Sequence, residues 1–557
     1  MIQSIQLVGL LGFSFDKRLK KRVSHLSISI LSLMLFPTLF YPAKAQKINI
    51  DAFHPAEMPV GHYTKEIRAI DNQQLLKIVE AFKAASTNPN QSINLSLDQC
   101  ISLAFANNPS LKSQIESLKS TRDTFIARSR SWNPTALIRG SSNGNNENRN
   151  SVNQVNSLNS KSPSLSRTNS TSSRNSYPQS ITGELSWKFL DFSRQPTIDA
   201  AASAYSAQRY AFYNASRTLV FQIQETYYQL IAQQELIKSF ETIAESLKST
   251  VLFTDSRFEA GLAHLGDVGQ VHAQYYSTLS DLTSYIERYY QLSSQLARLV
   301  SLPGEPLILA EGENQFAGEW IFGLEESIDL AQLNNDRVLS SLELSKRYNF
   351  EGIAERNRTL PSFSLSSTAN LSSTSSDSYA FNTTSVSGSS NSSSDSRETS
   401  NSFSFGSNTS YDVSAGIGFT WNFYQGGVNN ATASALFSRS KSEEFNVEDI
   451  RDQLIENVRA SINALRSNRI RFMTSDAAVE SAKISYIASI ARLNAGFSDV
   501  TTINQLVRLY QNSIQAEIIA IQDYNIRLAT LYRDTAIWPQ EAEGLAVELL
   551  EATGLTR

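Results

Sequence analysis

Val413-Ser414-Ala415-Gly416-Ile417-Gly418-Phe419-Thr420-Trp421-Asn422-Phe423 is the stretch whose reading decides the fold. Its apolar residues alternate with small or polar ones, so an extended chain places Val413, Ala415, Ile417, Phe419, Trp421 and Phe423 on one face. A strand of this kind crosses a bilayer when the pattern lasts about 9 to 11 residues and aromatic rings sit at headgroup level. A sandwich strand with one buried face carries the same pattern over so short a span. A twin upstream favours the membrane. Leu185, Trp187 and Phe189 alternate with Glu184, Ser186 and Lys188, and both segments lead through a short polar turn into a long helical stretch.

The rest of the chain narrows the choice. Lys17, Arg18, Lys20, Lys21 and Arg22 precede an apolar run from about Leu26 to Phe40, followed by Ala43-Lys44-Ala45. That is the layout of a secretory signal with an A-x-A cleavage site, which places the mature start near Gln46; the run is short for a membrane anchor. No later segment offers about 18 consecutive apolar residues, so a mature chain that enters a membrane does so as a closed barrel. A net charge of -4, without a dense basic block after the signal, argues against nucleic acid as a partner. With 5 histidines and 1 cysteine there is little material for a metal site or a disulfide framework, and the lone Cys100 reads as a small buried apolar residue.

Taken in order, residues 46–95 read as a periplasmic extension with a short helix near Gln73–Ala85. From Ser96 an apolar stripe announces a helix to about Ser131, stopped by Pro134. A short alternating segment, 135–139, leads into residues 141–180, almost entirely Ser, Asn, Thr and Arg, which composition assigns to a solvated outer loop. After the strand at 183–192, residues 196–258 carry a coiled-coil seam: Val220, Ile223, Tyr227, Leu230, Gln234, Ile237, Phe240, Ala244, Leu247, Val251, Thr254 and Phe258. Gly261 breaks this helix, and a second one returns antiparallel over about 267–302.

The pattern then repeats. Leu324, Asn335 and Pro361 lie 227 residues after Leu97, Asn108 and Pro134, while Trp421 lies 234 after Trp187 and Gly496 lies 235 after Gly261. The offset jumps inside the Ser/Asn-rich tracts, where insertions are best tolerated; the second tract, 372–409, is again expected to be an outer loop. The chain therefore divides into a signal (1–45), the extension (46–95), a first repeat (96–302), a linker (303–323), a second repeat (324–538) and a tail (539–557). Each repeat supplies two strands, and four strands leave two open edges. In lipid such edges cost several kcal/mol per unpaired group, so copies of the chain must associate until the sheet closes.

The duplicated order of Asn107-Asn108-Pro109, the prolines at 134 and 361, Trp187-Lys188-Phe189-Leu190-Asp191, Trp421-Asn422-Phe423-Tyr424-Gln425-Gly426-Gly427 and an Arg-x-x-x-Gly at both helix tips resembles the TolC-like outer membrane efflux proteins. The resemblance covers about Ser96 to Pro539. It implies a mainly α fold with a transmembrane β-barrel part: a homotrimer whose 12-stranded barrel continues into a long periplasmic helical barrel, with residues 303–323 and the tail at an equatorial belt. It also implies an exit duct for efflux or type I secretion, working with a periplasmic adaptor and an inner-membrane pump. A structural or adhesive coiled-coil fibre is the competing function, and it predicts no wet lumen. Small polar residues on the other strand face, such as Ser414, Gly416, Thr420 and Asn422, favour the duct.

No H-E-x-x-H, phosphate-binding Gly-rich loop or paired-Cys motif occurs, so neither catalysis nor a cofactor is expected. His264 and His272, eight apart, read as solvated surface residues. Phe258, Gly261, Leu262 and Ala263, with Leu493, Gly496, Phe497 and Ser498, form the two hairpin tips. Glycine there is needed simply for the reversal, and the resemblance adds the periplasmic entrance and an adaptor contact. Where familiar members carry an acidic pair at the second tip this chain has Thr502 and Gln505, and Ser498 fills an arginine position, so Asp267 and Asp499 are the nearest carboxylates for an entrance constriction. Trp187, Phe189, Phe192, Phe419, Trp421, Phe423 and Tyr424 are expected in an aromatic girdle facing outer-membrane lipid, against the alternative of a buried cluster where strand meets helix.

Overall fold

A computed structural model describes residues 73–88, 92–157, 164–304, 306–388 and 396–555. The expected signal and residues 46–72 of the extension lie outside these. The described part of the extension forms helix α1 (Gln73–Thr87) and strand β1 (Ser92–Leu95), which pairs in parallel with β5 (Leu307–Ala310). The extension is thereby knitted into the linker between the repeats.

Ser96 starts α2 (Leu97–Asn107) with a capping box shared with Gln99. Sequence periodicity predicts one helix to Ser131, but the chain leaves helical geometry at Asn108 (φ -60°, ψ 120°) and restarts as α3 (Pro109–Ser129). Proline lacks an N–H and pushes the residue before it out of the helical region, while the Asn108 side chain accepts from the Ser110 and Leu111 amides. The second repeat breaks the same way at Asn335, between α6 (Leu324–Asn334) and α7 (Asp336–Asn357), without a proline. The asparagine cap is the feature common to both breaks. Each asparagine also donates to a carbonyl at the end of a returning helix, Asn108 to Leu299 at 2.8 Å and Asn335 to Asp534 at 2.9 Å.

The long helices are α4 (Arg194–Glu259, 66 residues) and α8 (Val428–Asn494, 67 residues), each about 100 Å at 1.5 Å per residue. Their returning partners are α5 (Leu265–Val300) and α9 (Val500–Asp534). α3 and α5 lie along successive parts of α4, and α7 and α9 along successive parts of α8; α7 and α9 also touch α4, which joins the repeats side by side. The expected seam on α4 is buried at Val220, Ile223, Tyr227, Leu230, Ile237, Phe240, Ala244, Leu247, Val251 and Thr254. Gln234 is exposed, and Leu236 takes the inward position beside Ile237. The tail folds back as α10 (Leu545–Ala552), whose Ala546 and Leu550 join the core containing Cys100 and Phe105 of α2.

The strands correct the sequence reading. β2 (Thr135–Ser142) and β3 (Asn145–Ser157) lie in line against β4 (Ser164–Leu190), β4 pairs with β6 (Ser362–Gly388), and β6 with β7 (Ser396–Thr420), all antiparallel. The tracts 141–180 and 372–409, expected as solvated loops, are mostly strand. Composition argued that they bury too little to fold, but a strand added to an existing ladder satisfies its backbone without burying side chains. The polar side chains then pair across the sheet: Ser141 with Ser180 and Ser372 with Ser410, both at 2.8 Å, and Thr182 with Asn370 at 2.9 Å. At 27 residues β6 is about 90 Å long, some three times what a bilayer core needs.

Candidate functional site

Three regions carry chemistry or contact surface: the apolar sheet face, the helix tips, and the neck where strands become helices.

On the sheet, Phe363 is registered against Phe419 and Leu365 against Ile417. Residues directly opposite in an antiparallel pair share a face. Ile417 is 73% and Phe419 68% exposed, and Val413 and Tyr411 are also open, so the apolar face has no covering layer among the described residues. Towards the helices an aromatic row crosses three strands, with centroid distances of 6.0 Å for Trp187–Phe189, 6.4 Å for Phe189–Phe363 and 6.1 Å for Phe363–Phe419. Phe363 was not singled out by sequence, although it alternates with Ser362 and Ser364 as a partner of Phe419 must. Trp187, Phe192, Trp421, Phe423 and Tyr424 are exposed and Phe189 half-buried, so these rings form no buried core cluster. Two tryptophans are tethered alike: Trp187 Nε1 donates to the Trp132 carbonyl at 2.8 Å and Trp421 Nε1 to that of Thr359 at 3.1 Å. The opposite sheet face carries the hydroxyls, for instance Thr368 and Ser414 at 2.7 Å.

At the tips Gly261 (φ 73°) and Gly496 (φ 79°) take the left-handed conformation that ends a helix. The amide after each glycine reaches back into the last turn, Leu262 to the Arg257 carbonyl at 2.7 Å and Phe497 to that of Arg492 at 2.8 Å. Leu262 and Phe497, 67% and 85% exposed, project into solvent, whereas Leu493 is buried and Phe258, Ala263 and Ser498 are half-buried. The tips also touch each other: Arg257 Nη1 donates to the Leu493 carbonyl at 3.1 Å. Behind them a polar ladder links α5 to α9, in which Arg508 donates to Gln274 (2.8 Å), Gln274 to Gln511 (3.3 Å) and Gln511 to Thr278 (2.9 Å). Sequence reading missed this ladder, whose only signal was glutamine at inward helix positions.

Both candidate entrance carboxylates are occupied as helix caps. Asp267 accepts from the His264 amide at 3.1 Å, and Asp499 from that of Thr502 at 2.8 Å. The hydrogen bonds from Thr502 hold the Asp499 carboxyl below its usual range. Thr502 and Gln505 are exposed on the following turn. His272 departs from the expected solvated histidine: it is buried, with Nε2 3.1 Å from Asp255 on α4, because the apolar face of α5 turns it inward. His264 stays exposed at the start of α5. Among the described residues no group of His, Cys, Asp and Glu could hold a metal ion.

Farther along the rods a buried ion pair ties the repeats together. Arg217 Nε donates to Asp336 at 2.7 Å, and the guanidinium lies 4.0 Å from the ring of Trp538. Burial raises the Asp336 carboxyl above its usual range despite Arg217, and burial lowers Arg217. Desolvation outweighs attraction on both sides, as buried pairs often show.

Residues 100–304 match the outer membrane efflux protein family. No curated protein matches the sequence. Among solved structures, the outer-membrane channel OprN superposes with a TM-score of 0.60 at 14% identity, covering 79% of this chain and 89% of that one. The Campylobacter jejuni CmeC outer membrane channel gives 0.59 at 16% identity, covering 83% and 90%. The open state of the Neisseria gonorrhoeae MtrE outer membrane channel gives 0.56 at 15%, covering 79% and 88%. The sequence resemblance therefore holds in both comparisons. The fold is that of an outer-membrane channel subunit, with strands for the membrane and a large periplasmic helical part.

Proposed function

We propose that this chain, an outer-membrane channel subunit by fold, works as the exit duct of an export system, taking solutes or polypeptides from the periplasm to the exterior. One observation carries the reading: the sheet has open edges at β2/β3 and β7 and an exposed apolar face, and one chain satisfies neither. Three copies joined edge to edge close a 12-stranded barrel, turn the apolar face to lipid, and leave the hydroxyl-bearing face around water. Exposed apolar residues along α8, among them Phe445, Ile470 and Met473, gain cover from the neighbouring copy in the same step. A surface fibre would have no use for the small, polar inner face.

The aromatic row at Trp187, Phe189, Phe363, Phe419 and Trp421 is then the lipid girdle on the periplasmic side. The tips are the adaptor-docking surface. Leu262 and Phe497 are exposed with no partner among the described residues, an arrangement that favours cover by another protein. Cargo is chosen by the inner-membrane pump, and the duct serves either efflux or type I secretion. The test is Leu262→Asp together with Phe497→Asp, read by cargo export and by crosslinking to the adaptor. Export and adaptor crosslinking should be lost while trimers still reach the outer membrane. Undiminished export would refute the docking assignment, and loss of trimers would make the tips purely structural.

A further inference from the structure

The neck holds a cleft of about 690 Å³ that the duct reading leaves unused. Arg128, Lys188, Arg194 and Arg358 line it, with Asp191 as its one carboxylate. Thr197 and Asn429, in the first turns of α4 and α8, also border it, so the positive ends of two long helix dipoles open onto the same space. Ser362, Ser364 and Thr420 place the cleft on the hydroxyl-bearing side of the sheet, opposite Phe363, Leu365 and Phe419.

Arg194 is the residue that points to a ligand. It is only 6% exposed; its guanidinium stacks 4.4 Å from the Trp132 ring and its Nη2 donates to the Lys188 carbonyl, which holds it in place. Its Nη1 is buried and has no hydrogen-bond partner among the described residues. A buried N–H of a charged group left without an acceptor is costly. The nearby carboxylate does not relieve it: Asp191 accepts from the amide and hydroxyl of Ser193 and lies 3.4 Å from Lys188. The second repeat has Asn422, Gln425 and Val428 where the first has Lys188, Asp191 and Arg194. The duplication has therefore kept this cluster in one half only, unlike the asparagine breaks and the tip glycines, which recur in both.

We propose that this cleft binds a phosphate group. Lys188 and Arg358 are engaged by Asp191 at 3.4 Å and Glu355 at 3.0 Å, which leaves Arg128 and Arg194 without a carboxylate among the described residues. Two such cations suit a doubly charged oxyanion, and the fixed Arg194 fork offers the directed N–H that a tetrahedral oxygen accepts. The position on the lumen side rests on the duct reading; the binding does not. A phosphate-bearing solute would pause there on its way out, one site per chain and three around the neck.

The experiment is equilibrium dialysis of the purified full-length trimer in detergent against radiolabelled inorganic phosphate. Wild type should saturate at one phosphate per chain. Lys188→Gln and Arg128→Gln change exposed side chains and should each weaken binding about tenfold, the size expected for one charged hydrogen bond. Arg194→Gln should weaken it further, and Arg194→Lys should not restore it, because a point charge cannot replace the fork. If the Arg194 variants fail to assemble, the two exposed variants still decide the matter. No saturable binding by wild type, or binding unchanged in the Lys188/Arg128 double variant, overturns the site. Competition by soluble glycerol phosphate supports a solute source; competition only by anionic phospholipid overturns the lumenal placement. Chloride conductance of the same preparation in planar bilayers separates the two readings. Conductance without phosphate binding removes the site and keeps the duct, while binding without conductance removes the duct and keeps the site.

Discussion

Asn108→Ala tests whether the helix break is a built joint. The Asn108 side chain accepts from Ser110 and Leu111 and donates to Leu299, a buried carbonyl at the end of α5 that has no helical partner of its own. Alanine removes a cap worth about 1 kcal/mol and leaves the carbonyl unsatisfied at about 1 to 3 kcal/mol, so the joint should weaken by about 2 to 4 kcal/mol. Thermal melting in detergent is a poor gauge, since two-state unfolding is a property of small single domains. Hydrogen exchange reads the joint directly: amides around Ser110, Leu111 and the last turn of α5 should lose protection by about 30- to 1,000-fold. Asn108→Asp keeps the acceptor but loses the donor, so only the α5 end should open. Exchange unchanged in Asn108→Ala, or identical patterns for the two variants, would refute the joint. Asn335→Ala should open the end of α9 in the same way, because Asn335 holds the Asp534 carbonyl at 2.9 Å.

Two further outcomes follow from packing and charge. Arg217→Met should cost about 3 to 5 kcal/mol at neutral pH by stranding the Asp336 carboxylate, whereas Arg217→Met with Asp336→Leu should be near neutral in a double-mutant cycle read by hydrogen exchange in α4 and α7. Because burial raises the folded Asp336 carboxyl above 3.8, protonation there stabilises the fold; that contribution is complete below pH 3.8 and lost as pH rises through the raised value, and Asp336→Asn should remove this dependence. Gly352→Ala should loosen α7 from α8 by about 1 to 3 kcal/mol, since a Cβ there would meet the Phe437 ring at 2.7 Å, and proteolysis between the two helices should rise accordingly.

The duplication, the helix hairpins and the apolar sheet face were legible because each rests on a period that sequence displays directly: Gly261 and Gly496 at matched offsets, and Val413 to Phe419 alternating by two, although the strand expected to reach Phe423 ends at Thr420 and leaves Trp421 and Phe423 beyond the ladder. The hydroxyl-rich hairpins were not, because composition measures what a segment can bury, and β6 is held by ladder bonds that do not depend on burial. The break at Asn108 hid in an apolar stripe that continues on both sides of it. At the candidate sites, sequence marked the exposed Leu262 and Phe497 through the turn glycines beside them. It could not mark Arg194, whose significance lies in a missing partner, nor the turn of α5 that buries His272 against Asp255.

On the duct reading one sheet face meets lipid and the other a wet lumen. Single cysteines from 411 to 420, reacted with a charged, water-soluble maleimide in intact outer membranes, test it most directly. Background is low because Cys100 is fully buried and its thiol is pushed up to about 12 by that burial. Cysteine at Ser414, Gly416 and Gly418 should react, and at Val413, Ile417 and Phe419 should not. Equal labelling of both sets, or labelling of the apolar set alone, would contradict the barrel and the duct built on it.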